Sequence, residues 1–129
     1  MENKFEYREQ LKSRTKLVAL RIVKRFQSLP KTTEAQIIGR QIIRSGTSVA
    51  ANYRADCGAR SNAEFYSKMS IVIEETGETL FWLEILWESG IVKKEKADSL
   101  YSEAEELLKI FAVSRKSSKK QSLNHGIIK

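Results

Sequence analysis

Four carboxylates are spaced as a divalent-metal site would need them. Glu75-Thr-Gly-Glu78 is followed by Glu95-Lys-Ala-Asp98. Carboxylates three residues apart share one side of a helix, and two such pairs on facing helices can hold Mg²⁺ between them. The turn at Gly90 argues against their meeting. Folding the chain back there sets Asp98 opposite about Glu84, which lies roughly 9 Å beyond Glu78 at ~1.5 Å per residue. Other reactive constellations lack members. Cys57 and His125 are the single cysteine and histidine, too few for a zinc site. There is no Glu-x-x-His pair for a di-iron bundle and no glycine-rich phosphate loop. Cys57 has no evident base to activate it. The expectation is a protein that is not an enzyme and takes no cofactor.

The basic residues are the second set with chemical consequence. The net charge is +7, and it is unevenly spread. Arg14, Arg21, Lys24 and Arg25 line one side of a first helix, while Arg40, Arg44 and Arg54 face outward on a second. Arg115, Lys116, Lys119 and Lys120 crowd the C-terminal end, and residues 112–129 contain no acid. Residues 62–90, by contrast, set Lys68 against Glu64, Glu74, Glu75, Glu78, Glu84 and Glu88. Binding through such cations is led by phosphates, weakens with salt and reads little base sequence. RNA or a nucleoprotein is therefore the leading partner. The same charges also suit docking onto acidic faces of neighbouring copies, or acids on the third helix.

The elements that must carry these residues are helices. With 129 residues, one proline and six glycines, the chain suits one domain of long helices. Its fold class is all-α, an antiparallel up-down four-helix bundle over residues 1–117. Leu11, Val18, Ile22, Phe26 and Leu29 mark one face of a helix over about 4–27, ended by Pro30. Thr33 and Gln36 form a capping box for a helix over about 34–57, with Ile38, Ile42, Ser45, Val49 and Tyr53 inward and Gly58 at its end. Ser61 and Glu64 open a helix over about 62–89, whose stripe is Phe65, Met69, Val72, Thr76, Leu80, Leu83 and Trp87. A fourth helix over about 93–117 turns Ala97, Leu100, Tyr101, Ala104, Leu107, Leu108 and Phe111 inward, and 118–129 reads as a basic flexible tail. No apolar stretch is long enough to span a membrane or to act as a secretory leader, and one cysteine suits a reducing cytoplasm.

Two helices are apolar on more than one face. Leu17, Leu20 and Val23 lie opposite Leu11 and Val18, and Ile71, Phe81, Trp82 and Ile85 lie off the main stripe of helix 3. Surplus apolar surface of this kind implies self-association. Glu75 and Glu78 flank the Trp82 patch, so an acidic-apolar face meeting a basic-apolar one would give a head-to-tail ring. Gly39, Ile43, Gly46, Ala50 and Cys57 form a ridge of mostly small residues on helix 2, where a neighbouring helix can approach. Ser45 and Asn52 on its inward side are expected to form a structural polar core, not a reactive one.

The stretch "RSGTSVAANYRADCGAR" resembles the central motif of the small four-helix bundle proteins encoded in intervening sequences of bacterial 23S rRNA genes, sometimes labelled S23 ribosomal proteins. The matching positions are Arg44, Ser48, Val49, Asn52 and Arg60, and the resemblance extends over about residues 15–115. It departs at Tyr53–Gly58, where the more usual pattern is Asn-Ile-Ala-Glu-Gly. The resemblance implies a homo-oligomeric bundle, commonly a pentameric ring, with relatives that serve as basic accessory subunits of diversity-generating retroelements. The alternative is a protein–protein scaffold without nucleic acid. A remote one rests on the Glu75, Glu78, Glu95, Asp98 pattern, which resembles the magnesium site of all-helical nucleotide pyrophosphohydrolases.

Overall fold

The computed structural model describes the backbone of residues 3–128 and the side chains of residues 3–119. Four helices follow one another: α1 (Lys4–Gln27), α2 (Thr33–Asp56), α3 (Asn62–Glu88) and α4 (Lys94–Ile128). Each packs antiparallel on the next, and α4 returns beside α1 to close an all-α up-down bundle. None of the helices among the described residues is long and apolar enough to cross a membrane.

Local signals set most of the helix ends. Asn3 accepts from the Glu6 amide at 2.8 Å, and Ser61 accepts from the Glu64 amide at 3.1 Å. The cap of α2 is Thr32, one residue before the expected Thr33. Thr32 takes the Ala35 amide, and Gln36 reaches back to the Pro30 carbonyl at 2.9 Å. Gly58 does not adopt the left-handed conformation of a terminating glycine; among the described residues that role belongs to Gly90, at φ +81°. The Val92 amide returns to the Leu86 carbonyl at 3.0 Å and closes that turn. The basic segment 118–129, expected as a flexible tail, continues α4 to Ile128. Ser118 explains the extension: it is buried and donates to the Asn62 carbonyl at 2.7 Å, so the helix has a partner past residue 117.

The inward stripes meet in one core. Ile22, Ile42, Met69, Leu83, Leu86, Leu107 and Phe111 are almost fully buried, and Tyr53 stacks on Phe111 with ring centroids 5.4 Å apart. Removing such side chains from water supplies the main stabilisation, ~1.5–3 kcal/mol for each large one.

The α1–α2 contact depends on glycine. A methyl group at Gly39 would sit 2.5 Å from Phe26 and 2.8 Å from Leu29, and one at Gly46 would run into Ile22. Gly39 and Gly46 are two helical turns apart, so they present one bare seam on which α1 lies. Among the described residues no side-chain hydrogen bond links α1 to α2, whereas the other adjacent pairs are also fastened by polar groups. The Thr79 hydroxyl donates to Ser45 at 3.0 Å between α2 and α3, and Tyr101 donates to Glu84 at 3.2 Å between α4 and α3. Asn52 stays within its own helix, donating to the Ser48 carbonyl at 2.9 Å and hydroxyl at 2.8 Å. Of the two expected core polar residues, only Ser45 therefore bridges helices.

Asp56 is the exception to polar satisfaction. It is fully buried in the last turn of α2, and neither carboxylate oxygen has a hydrogen-bond partner. Burial pushes its carboxyl up to about 7, with Lys68 and Arg8 pulling the other way and Glu64 adding to the rise. The negative end of the α2 dipole makes this a poor place for an anion.

Three outcomes are expected. Gly39→Ala should cost on the order of 1–2 kcal/mol, because the clash exceeds the ~1 kcal/mol gained in helix propensity. Gly77→Ala, where nothing lies within 4 Å of the added carbon, should instead stabilise by ~0.5–1 kcal/mol. Urea denaturation of both variants checks the opposite signs. For Asp56, the folded chain keeps a proton that the unfolded chain loses near pH 4, so this group's contribution falls as pH rises from about 4 to about 7 and the full penalty stands above that. Asp56→Asn should raise Tm by about 5 °C at pH 8, with the gain shrinking toward pH 4. An equal gain at both pH values would contradict this.

Candidate nucleic-acid interface

One edge of α1 faces α4, and its arginines divide into two kinds. Arg14 makes a bidentate pair with Glu103, at 2.8 and 3.0 Å, and approaches Glu106 at 3.4 Å. The hydrogen bond from Arg14 holds the Glu103 carboxyl below its usual range. This arginine is neutralised within its own chain. Arg21 and Arg25 are held differently. Arg21 donates to the Ser99 hydroxyl at 3.0 Å, and Arg25 donates to the Lys96 carbonyl at 2.8 Å. Neutral acceptors orient these guanidinium groups, and neither forms an ion pair among the described residues, although Glu103 lies within electrostatic reach of Arg21.

These bonds draw the end of α1 against the start of α4. Arg25, Ser28, Leu29 and Pro30 face Gly90, Ile91, Val92, Lys93 and Lys96 across a groove of ≈ 380 Å³. A second groove of ≈ 280 Å³, lined by Arg21, Lys24, Arg25 and Ser28, adjoins it through Arg25 and Ser28. No acidic residue lines either groove. The helix N-termini of α2 and α4 lie at this same end of the bundle. Their amide ends add positive potential, partly offset by the carbonyl ends of α1 and α3 beside them. Arg21, Lys24 and Arg25 were legible in the sequence as a basic edge. Lys93 and Lys96 were not singled out, although the run Lys93-Lys94-Glu95-Lys96 directly after a tight turn must come back beside α1 in an antiparallel bundle.

The other sequence candidates fall elsewhere. Arg44 bonds Glu75 at 3.2 Å and also Glu78, so these three expected contact residues satisfy one another within the chain. The bond to Glu78 raises the Arg44 pKa, and burial raises that of Glu75. Arg40 is exposed on α2 and lines neither groove. At the far end of the bundle, Arg115 and Lys119 stand 5.6 and 5.7 Å from the centre of the Tyr66 ring, and Arg115 donates to Ser70. Lys116 is exposed, and the Lys120 side chain lies outside the described residues.

The carboxylates do not assemble. Tyr101 bonded to Glu84 fixes the α3–α4 register and leaves Glu95 and Asp98 beyond Glu84, on the side away from Glu78. Among the described residues no group of three or more metal-ligating side chains comes together.

Of the surplus apolar surface, Leu17 and Leu20 are each 57% exposed on α1, and Ile71 and Phe81 are exposed on α3. Val23, Trp82 and Ile85 are half-buried; Trp82 packs edge-on with Phe81 at 4.9 Å. The wide Trp82 ring reaches the margin of its own core, so the patch on α3 is smaller than its sequence suggested.

The family model described as "23S rRNA-intervening sequence protein" matches residues 8–112. Among solved structures, the chain is similar to a protein of unknown function from the S23 ribosomal protein family of Bacteroides thetaiotaomicron. The two are 31% identical, with a TM-score of 0.78 over 84% of this chain and 97% of that one. None of the curated proteins compared with it matches this chain. The helical hairpin pairs, the glycine seam and the arginine-held α1–α4 edge all fall within the matched span, and the chain belongs to the 23S rRNA-intervening sequence protein family.

Proposed function

We propose that this protein is a non-enzymatic, homo-oligomeric subunit that binds structured RNA through the loop-end groove between α1 and α4. The single observation that carries this reading is the pair Arg21 and Arg25, held by neutral acceptors beside Lys24, Lys93 and Lys96 with no acid in the lining. A cation fixed in place but not neutralised is ready for a phosphate, and phosphate oxygens are strong acceptors for guanidinium groups. Self-association rests on Leu17 and Leu20, which are too exposed to belong to the chain's own core. A ring, five-fold as the family resemblance implies, would repeat the groove around its rim and turn weak single contacts into avidity. The reading places the protein in the cytoplasm, where RNA is available.

Fluorescence-anisotropy titration of nuclease-treated protein with a structured RNA, over a salt series, tests this. The expected result is submicromolar binding whose log affinity falls linearly with log salt. Arg25→Gln should weaken binding and reduce that slope by about 1. Arg14→Gln, whose guanidinium is already paired with Glu103, should leave affinity within about twofold. A flat titration at low salt, or equal losses in the two variants, would overturn the reading and favour a protein partner on the assembled bundle.

A further inference from the structure

The opposite end of the bundle holds a separate cleft, independent of the RNA reading. Its volume is ≈ 200 Å³, and all four helices line it. Lys4, Tyr7 and Arg8 come from the first turns of α1, and Tyr53 from the end of α2. Asn62 and Phe65 come from the start of α3, and Val113 and Ser114 are among the α4 contributors. Three features define its chemistry. The lining contains two cations and no acid. Its apolar members run from floor to rim: Tyr53 is buried, Phe65 is half-buried, and Val113 and Tyr7 are 66% and 42% exposed. The Arg8 guanidinium lies 5.5 Å from the centre of the Phe65 ring, which fixes a charge beside an aromatic wall.

We propose that this cleft binds a small aromatic anion: one ring carrying one anionic group, attached directly or through a short arm. The ring would lie among Tyr7, Phe65 and Val113, and the anionic group would meet Arg8 and Lys4. The cleft itself has room for one ring, since pockets for drug-sized ligands run to about 300–1,000 Å³. A groove of ≈ 330 Å³ adjoins it through Lys4, Arg8, Asn62 and Phe65 and leaves space for the anionic group. The amide of Asn62 and the hydroxyl of Ser114 add donors and acceptors at the edge of the ring. The cleft is built by packed helices, so little ordering is needed on binding. Such a ligand is either a free aromatic carboxylate or a pyrimidine nucleotide whose base enters while its phosphate stays at the mouth.

Saturation-transfer NMR on the full chain tests the proposal with three probes: sodium benzoate, uridine monophosphate and sodium acetate. Benzoate should bind at least ten times more tightly than acetate, and Arg8→Gln should weaken it at least tenfold. Val113→Glu places an acid at the exposed rim without touching the core, and should do the same. Binding of uridine monophosphate with the same sensitivity to both variants would identify the nucleotide as the source; benzoate alone would identify a free carboxylate. Benzoate and acetate binding equally would mean a bare charge effect and overturn the proposal. So would the absence of benzoate and uridine monophosphate binding at millimolar concentration, or ring binding indifferent to Val113→Glu.

Discussion

Everything on the outer side of this bundle depends on how closely α1 can approach α2. The bare seam at Gly39 and Gly46 accepts Ile22, Phe26 and Leu29 where larger residues would hold the helix away. Glycine in a helix interior costs ~1 kcal/mol each time, and packing offsets that cost here. With α1 seated by apolar contact alone, its polar edge is left for α4, where Arg14, Arg21 and Arg25 make the connecting bonds. Among the described residues, no element covers the face of α1 bearing Leu17 and Leu20.

The three arginines show how one helix edge serves two purposes. A carboxylate partner converts Arg14 into a structural fastening, since a bidentate pair is strong and directional. Hydroxyl and carbonyl partners do the positioning at Arg21 and Arg25 while leaving the positive charge in place. The difference lies in what α4 presents one or two turns apart: Glu103 at one level, Ser99 and the Lys96 carbonyl at the next. Formal charge counts cannot separate these cases, and geometry can.

That distinction also explains which parts were legible beforehand. Helical stripes are local patterns of period 3.6, so the core residues Ile22, Ile42, Val49, Met69, Val72, Leu83 and Leu107 could be read directly from their spacing or from the faces that spacing defines. Capping was legible to within one residue, because adjacent Thr32 and Thr33 offer the same hydroxyl and it is Thr32 that takes the Ala35 amide. The α4 extension was not legible, because the burial of Ser118 depends on Asn62, far away in sequence. Nor was the fate of Arg14, whose acids lie on α4, while for Arg44 pairing with acids of the third helix was one of the options open in the sequence. Asp56 was invisible for a related reason. Its surroundings look polar and exposed in one dimension, yet the fold buries it without a partner.

The central proposal is that the outer face of α1, exposed at Leu17 and Leu20, is where another copy of the chain docks. Native mass spectrometry at micromolar concentration addresses this most directly. The account predicts a single assembly whose mass is a multiple of 14.8 kDa, shifted to the single-chain mass by Leu20→Asp with helix content unchanged. A wild-type protein found only at 14.8 kDa would contradict it.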